Sequence, residues 1–184
     1  MTVSENQGHS KNPMTKAKIA KVVINMSVGK SGEPLEKASS ILEQLTAQKP
    51  CRRKAKQTIK DWGIRKGEPI ACMVTLRKQK AFNFLKGAFV AVGNKIPITS
   101  FDDHGNFAFG IKEHIELPDT KYDPELGIVG MNVTVALDKP GYRIKERKRA
   151  RSKVGKKHLV TPEEAFQLLD ELFGVKIEKK EDEE

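Results

Sequence analysis

Apolar residues recur along this chain in two rhythms, one suited to strands and one to helices. Ile19 to Met26 is a short β-branched run and predicts a strand. Leu35, Ala38, Ile41, Leu42 and Leu45 recur at spacings of three and four, one stripe of a helix. Ser31-Gly32-Glu33-Pro34 supplies its start, with Ser31 as candidate cap and Pro34 in the first turn, and Lys49-Pro50 supplies its stop. Ile70 to Arg77 predicts a second strand, and Phe82, Leu85, Phe89 and Val92 a second helix ending near Gly93-Asn94. Asp102 to Asn106 is a turn cluster leading into an alternating strand, Phe107 to Ile111. Met131, Val133, Val135 and Leu137 alternate with polar or small residues and predict another strand. Thr161-Pro162-Glu163-Glu164 has the pattern of a capping box. The helix it opens carries Phe166, Leu169, Leu172 and Phe173, ends at Gly174, and leads to a short strand at Val175 to Ile177.

Strands and helices are mixed, and short loops join some strands directly. The expected class is α+β, a mainly antiparallel sheet with helices packed on one face and the other face open to a large partner. Residues 1–15 are polar and read as a flexible leader, 16–177 as a single domain, and 178–184 as an acidic tail.

Charge adds to this outline. Among 184 residues, 34 Lys and Arg stand against 24 Asp and Glu, a formal net charge of +10. The excess is gathered rather than spread. Lys49 to Lys66 holds eight basic residues and one acid, and Lys139 to Lys157 holds ten and one. Arg77, Lys78 and Lys80 form a third cluster where a strand meets a helix. One such run is ordinarily a solvated face. Three of them on one small chain point to a polyanion, with binding that weakens steeply with salt. The stretch 54–68 has the composition of an exposed loop, and 139–157 that of a segment ordered by its partner.

The search for chemistry yields no reaction. Gly29-Lys30-Ser31 follows a strand, but a phosphate loop needs glycine where Ile24 stands. Cys51 and Cys72 have no CxxC partner or His pair, so no metal or cofactor is expected. His104 lies among turn residues with no nucleophile motif, a surface position. Two cysteines form no disulfide framework, and no apolar run suggests a signal or a membrane span, so the cytoplasm is the expected compartment.

Read as strings, the segments resemble the ribosomal protein L-five family over about Pro13 to Ile177. The matching pieces are Lys21 to Gly29, Gln48-Lys49-Pro50, Lys54-Ala55-Lys56, Gly63 to Gly67, Val74-Thr75-Leu76-Arg77, and Phe101 to Gly110. Tyr122-Asp123-Pro124, Gly127 to Gly130 and Pro140-Gly141-Tyr142 look like the archaeal and eukaryal branch. Each piece is weak alone; their shared order and spacing is specific. Departures are the missing long N-terminal helix of bacterial members, Ser27 where those members often have glycine, and Ala47 where many members do.

The resemblance implies a structural, non-catalytic protein of the large ribosomal subunit. It implies binding to 5S rRNA and large-subunit rRNA at the central protuberance, and contact with peptidyl-site tRNA through a basic loop. A neighbouring 5S-binding ribosomal protein is a further partner it allows. Carried over by position, Asn25, Gln48, Thr75 and Arg77 are the 5S rRNA residues. Lys60, Arg65 and Lys66 are the choices for tRNA backbone, with Trp62 and Ile64 expected to hold the loop in shape. Arg143, Lys145, Arg147, Lys148, Arg149 and Arg151 are candidates for other rRNA contacts. The competing readings are a stand-alone DNA-binding or chromatin-type protein and a small enzyme.

Overall fold

The computed structural model describes residues 12–118, 120 and 122–178. Most of the expected leader and all of the acidic tail after Glu178 lie outside the described residues.

Alternation decides the sheet. In β1 (Lys18–Ser27), Val22, Ile24 and Met26 are fully buried while their neighbours are half-buried or exposed. The same division holds in β3 (Pro69–Leu76), β5 (Phe107–Ile111) and β6 (Met131–Asp138). With β2 (Cys51–Lys54) these strands form one antiparallel sheet in the order β2-β3-β1-β6-β5. The buried residues meet Leu35, Ala38, Ile41 and Leu42 of α1 (Glu33–Thr46) and Leu85 and Phe89 of α2 (Lys78–Ala91). Further along the chain come β4 (Lys95–Pro97) and α3 (Arg143–Glu146). Ala165, Leu168 and Leu169 of α4 (Pro162–Phe173) complete the core. Phe89 packs between Phe109 and Phe173, with ring centroids 5.5 and 4.9 Å away. The α+β reading, with helices on one face, is the fold observed.

The capping box is present: Glu164 N donates to Thr161 Oγ1 (3.4 Å) and Thr161 N to Glu164 Oε2 (3.2 Å). The turn cluster closes on Asp102, whose carboxylate accepts from His104 N, Asn106 N and Asn106 Nδ2 at 2.7–2.9 Å. Although burial pulls the other way, these bonds hold the Asp102 carboxyl below its usual range. Gly105 in this turn has φ 71°, and a Cβ there would lie 2.9 Å from Val160 Cγ1.

Several local expectations are corrected. Ser31 does not cap α1: Gly32 does, at φ 92°, and the Ser31 hydroxyl donates to the Glu68 carboxylate instead. Cys51 to Lys54, where the sequence pattern predicts no element, is an edge strand whose four side chains are all exposed, so no alternation marks it. The short last strand is β7 (Lys176–Glu178), and it pairs in parallel with β4, which the periodicity does not reveal. On α4 the buried face is Ala165, Leu168 and Leu169, and Leu172 is 42% exposed.

The first helix ends before Lys49-Pro50, at Ala47, which adopts the left-handed conformation (φ 49°). This region favours glycine, because a Cβ there crowds the following carbonyl at about 1–2 kcal/mol. Glycine recovers most of that but is freer when unfolded, at about 0.5–1 kcal/mol. Ala47→Gly is therefore expected to stabilise the protein by about 0.5–1 kcal/mol, read as a raised midpoint in urea unfolding.

Candidate nucleic-acid interface

The sheet face opposite the helices is built by the residues that alternation turns away from the core. The pairing register fixes how they line up. Thr75, Val23, Thr134 and Ala108 form one row across β3, β1, β6 and β5. Cys51, Met73, Asn25, Asn132 and Gly110 form the next, across all five strands. Strands lie about 4.8 Å apart, so this row spans about 19 Å. None of the described helices covers it, and its side chains are mostly small or polar. Asn25 Nδ2 donates to Ser27 Oγ (2.9 Å), which leaves the amide oxygen as an outward acceptor.

Asn25 and Thr75 thus share one face on adjacent strands. Arg77 is exposed and follows β3 directly. Gln48 is half-buried and precedes β2; because β2 and β3 run antiparallel, Gln48 and Arg77 flank the same end of this edge pair. Asn132 and Thr134 share the open face with Asn25, and the sequence reading did not single them out. The alternation of β6 carries that signal once the core side is known.

The basic stretch after β2 is a small hairpin rather than a bare loop. Ala55 N donates to Glu68 O (2.8 Å) and Gly67 N to Ala55 O (2.9 Å), closing its base. Ile59 and Ile64 exchange two backbone bonds, and Gly63 N donates to Lys60 O (3.0 Å) at the tip. Glu68 ties the base to the start of α1: bonds from Ser31 and from Arg65 N hold its carboxyl below the usual range. Lys60, Arg65 and Lys66 are exposed, and among the described residues no carboxylate lies within 4.0 Å of their charged groups. Ile64 holds the hairpin, as expected. Trp62 does not: it is 70% exposed at the tip, because a turn this tight leaves nothing for the indole to pack under.

The hairpin and Arg77 sit at opposite ends of β3. Pro69 and Leu76 are seven residue steps apart along that strand, about 23 Å at 3.3 Å per residue. The segment after β6 lies at the Arg77 end, since Lys18 pairs with Asp138 and Val22 with Leu76.

That segment, 139–157, is more anchored than its composition suggests. Lys139 is 5% exposed, with Nζ 2.6 and 2.7 Å from the Glu164 carboxylate oxygens and 3.0 Å from Leu159 O. Tyr142 is buried; its hydroxyl accepts from Val160 N (2.8 Å) and donates to His158 O (3.2 Å), and burial pushes its pKa up. Lys145 is drawn to Asp138 (3.3 Å) and lies 4.2 Å over the Tyr142 ring. The expectation of a segment ordered by its partner is corrected in part: Tyr142 is an internal anchor, and Val154 packs against the core. Arg143, Arg147, Lys148, Arg149 and Arg151 stay exposed. The amides of Lys148 to Arg151 have no backbone acceptor among the described residues, whereas Ser152 N bonds Ile144 O (3.1 Å). Hydrogen exchange is expected to be fast at Lys148 to Arg151 and slower at Ser152 and Val160. Uniformly fast exchange across the segment would mean that the anchors do not hold in solution.

The Gly29-Lys30-Ser31 turn is committed elsewhere: Gly29 N donates to Ile70 O (3.0 Å) and Ser31 to the Glu68 carboxylate, an unsuitable neighbour for phosphate. Cys72 is buried, which pushes its thiol pKa up, and Cys51 is exposed on β2. Among the described residues no group of three His, Cys, Asp or Glu could hold a metal. None of the described helices is long and apolar enough to cross a membrane.

The chain is similar to known proteins over most of its length. Residues 12–65 match the family model described as ribosomal protein L5, and residues 69–172 match the model for the C-terminus of the same ribosomal family. The five-stranded sheet takes β1 and β2 from the first stretch and β3, β5 and β6 from the second. The large ribosomal subunit protein uL5 of Pyrobaculum aerophilum is 56% identical over 172 residues, 94% of each chain. The protein of the same name from Methanococcus aeolicus is 47% identical, covering 92% of this chain and 96% of its own. That of Nitrosopumilus maritimus is 46% identical, covering 91% and 97%.

Proposed function

The chain belongs to the ribosomal protein L5 family, and from that premise we propose that it binds 5S rRNA through the open face of its sheet. Membership makes it a structural, non-enzymatic component of the large ribosomal subunit with ribosomal RNA as its partner. The finer reading assigns 5S rRNA to Asn25, Gln48, Thr75 and Arg77, and other rRNA to the exposed arginines and lysines between Arg143 and Arg151. It assigns peptidyl-site tRNA to Lys60, Arg65 and Lys66. Residues 16–177 act as one unit, because the sheet interleaves strands from both halves of the chain.

The observation that carries this reading is the alignment of Asn25 and Thr75 on a helix-free face that ends at Arg77. Amide and hydroxyl groups can bond base edges and 2′-hydroxyls, and a guanidinium can fork onto phosphate. Arg77→Ala and Asn25→Ala are each expected to weaken 5S rRNA binding by about 1–2 kcal/mol. Their thermal transitions should barely move, since neither side chain is in the core. Binding is measured on purified 5S rRNA, with duplex DNA of equal length as competitor. Wild-type affinity in both variants, or equal competition by DNA, would show the assignment to be wrong.

A further inference from the structure

The helical side of the molecule carries a groove of about 510 Å³. Ala17, Ile19, Phe82, Leu168 and Leu172 line it, between the start of β1, the first turns of α2 and the last turns of α4. Lys16, Lys18 and Lys78 also border it, and all three are exposed. Among the described residues no carboxylate lies within 4.0 Å of these ammonium groups. Lys78 also holds a left-handed backbone (φ 55°) at the first turn of α2. Such strain persists only where the surroundings over-determine it, and it recurs at ligand clamps.

The geometry points to a docking groove for an acidic amphipathic segment of a partner protein. Its aliphatic side chains seat against Ile19, Phe82 and Leu172, and its carboxylates face Lys16, Lys18 and Lys78. The other occupants fit less well. RNA would bring phosphates to the lysines but nothing to cover the apolar floor of Ile19, Phe82 and Leu172, since its base faces need exposed aromatic platforms and the one ring here, Phe82, is half-buried. A second copy of this chain would bring its own excess of positive charge to a lysine rim. The terminal sequences lack an apolar stripe: Met1 and Val3 are the only large apolar residues in 1–11, and 179–184 has none. The groove lies on the side of the sheet opposite Asn25 and Thr75, so this partner and RNA can be held together.

The test uses the full chain and a fluorescent helical peptide of about 15 residues, with leucines at helical spacing on one face and glutamates elsewhere. One control has the same composition with the leucines scattered; another has lysine for glutamate. Anisotropy gives the affinity, and NMR shifts of Phe82 and the Leu172 methyls give the location. The patterned acidic peptide is expected to bind with shifts at those residues, at least about tenfold tighter than either control. Leu172→Gln and Lys16→Glu, both at exposed positions, are each expected to weaken it about tenfold. Equal binding of the scattered peptide, or unchanged affinity in both variants, overturns the proposal. Displacement of the peptide by 5S rRNA, or by self-association of the chain, also overturns it. The direct peptide titrations use no RNA, so their outcome is independent of the 5S assignment.

Discussion

Glu164→Gln is expected to lower the stability of the fold by about 2–3 kcal/mol, although Glu164 is itself partly exposed. The reason lies with its partner. Lys139 Nζ is almost wholly removed from water, and both oxygens of Glu164 face it, with Leu159 O as a further acceptor. Removing one member of a buried ion pair typically costs about 3–5 kcal/mol, because the other charge is left desolvated. Water reaching the Glu164 side supports a figure at or below the lower end. Glutamine keeps the shape and an acceptor for Thr161 N, so the helix cap survives and the charge alone is tested. Lys139→Met should be milder, since it removes the buried charge and leaves a carboxylate that water can reach. The double variant should recover much of the loss. Urea midpoints for the three variants decide the matter. If Glu164→Gln is no worse than Lys139→Met, the pair does not stabilise the fold in this way.

This pair also shows where sequence stops being legible. Lys139 reads as one of ten cations in a solvated run. Its burial depends on Leu159 and Glu164, which the fold brings over the end of β6. Ser31 reads as a cap for the same reason in reverse, because its hydroxyl answers Glu68, 37 residues away. Features closed within a few residues were legible: the Thr161-Glu164 box, the Asp102 to Asn106 turn, the β-branched run of β1, and the alternation in β5 and β6. Edge strand β2 was hidden because an edge with four exposed side chains has no pattern to show. The open face is an intermediate case. Alternation divides Asn25 from Ile24, but only the placement of the helices says which side meets solvent. The 5S candidates came from resemblance, and it is the register that sets Asn25 and Thr75 on one surface and adds Asn132 and Thr134 beside them.

Shortening the hairpin between Lys60 and Lys66 is expected to loosen tRNA on assembled subunits by about a hundredfold while sparing 5S rRNA binding. The cations set the size. Lys60, Arg65 and Lys66 have no protein carboxylate to release among the described residues, so each can contribute about 1 kcal/mol to a phosphate contact. Three such contacts are about 3 kcal/mol, or roughly two powers of ten. Contacts to backbone suit a site that accepts every tRNA, since phosphates carry no sequence information. The geometry sets the separation. The hairpin leaves the sheet at Pro69, about 23 Å along β3 from the end where Arg77 stands. Its base is closed by Ala55 with Gly67 and Glu68, and by Glu68 with Ser31, all outside the deleted stretch. The deletion should therefore leave β2, β3 and the open face intact. The exposed Trp62 is removed with it, so a Trp62→Ala variant is needed to separate stacking from charge. That variant should retain most of the tRNA affinity if phosphate contacts dominate. The measurements are 5S rRNA affinity of the free protein and tRNA dissociation from reconstituted subunits, made on the same deletion. Loss of 5S affinity with unchanged tRNA dissociation would make the hairpin another rRNA anchor and end the division of labour argued here.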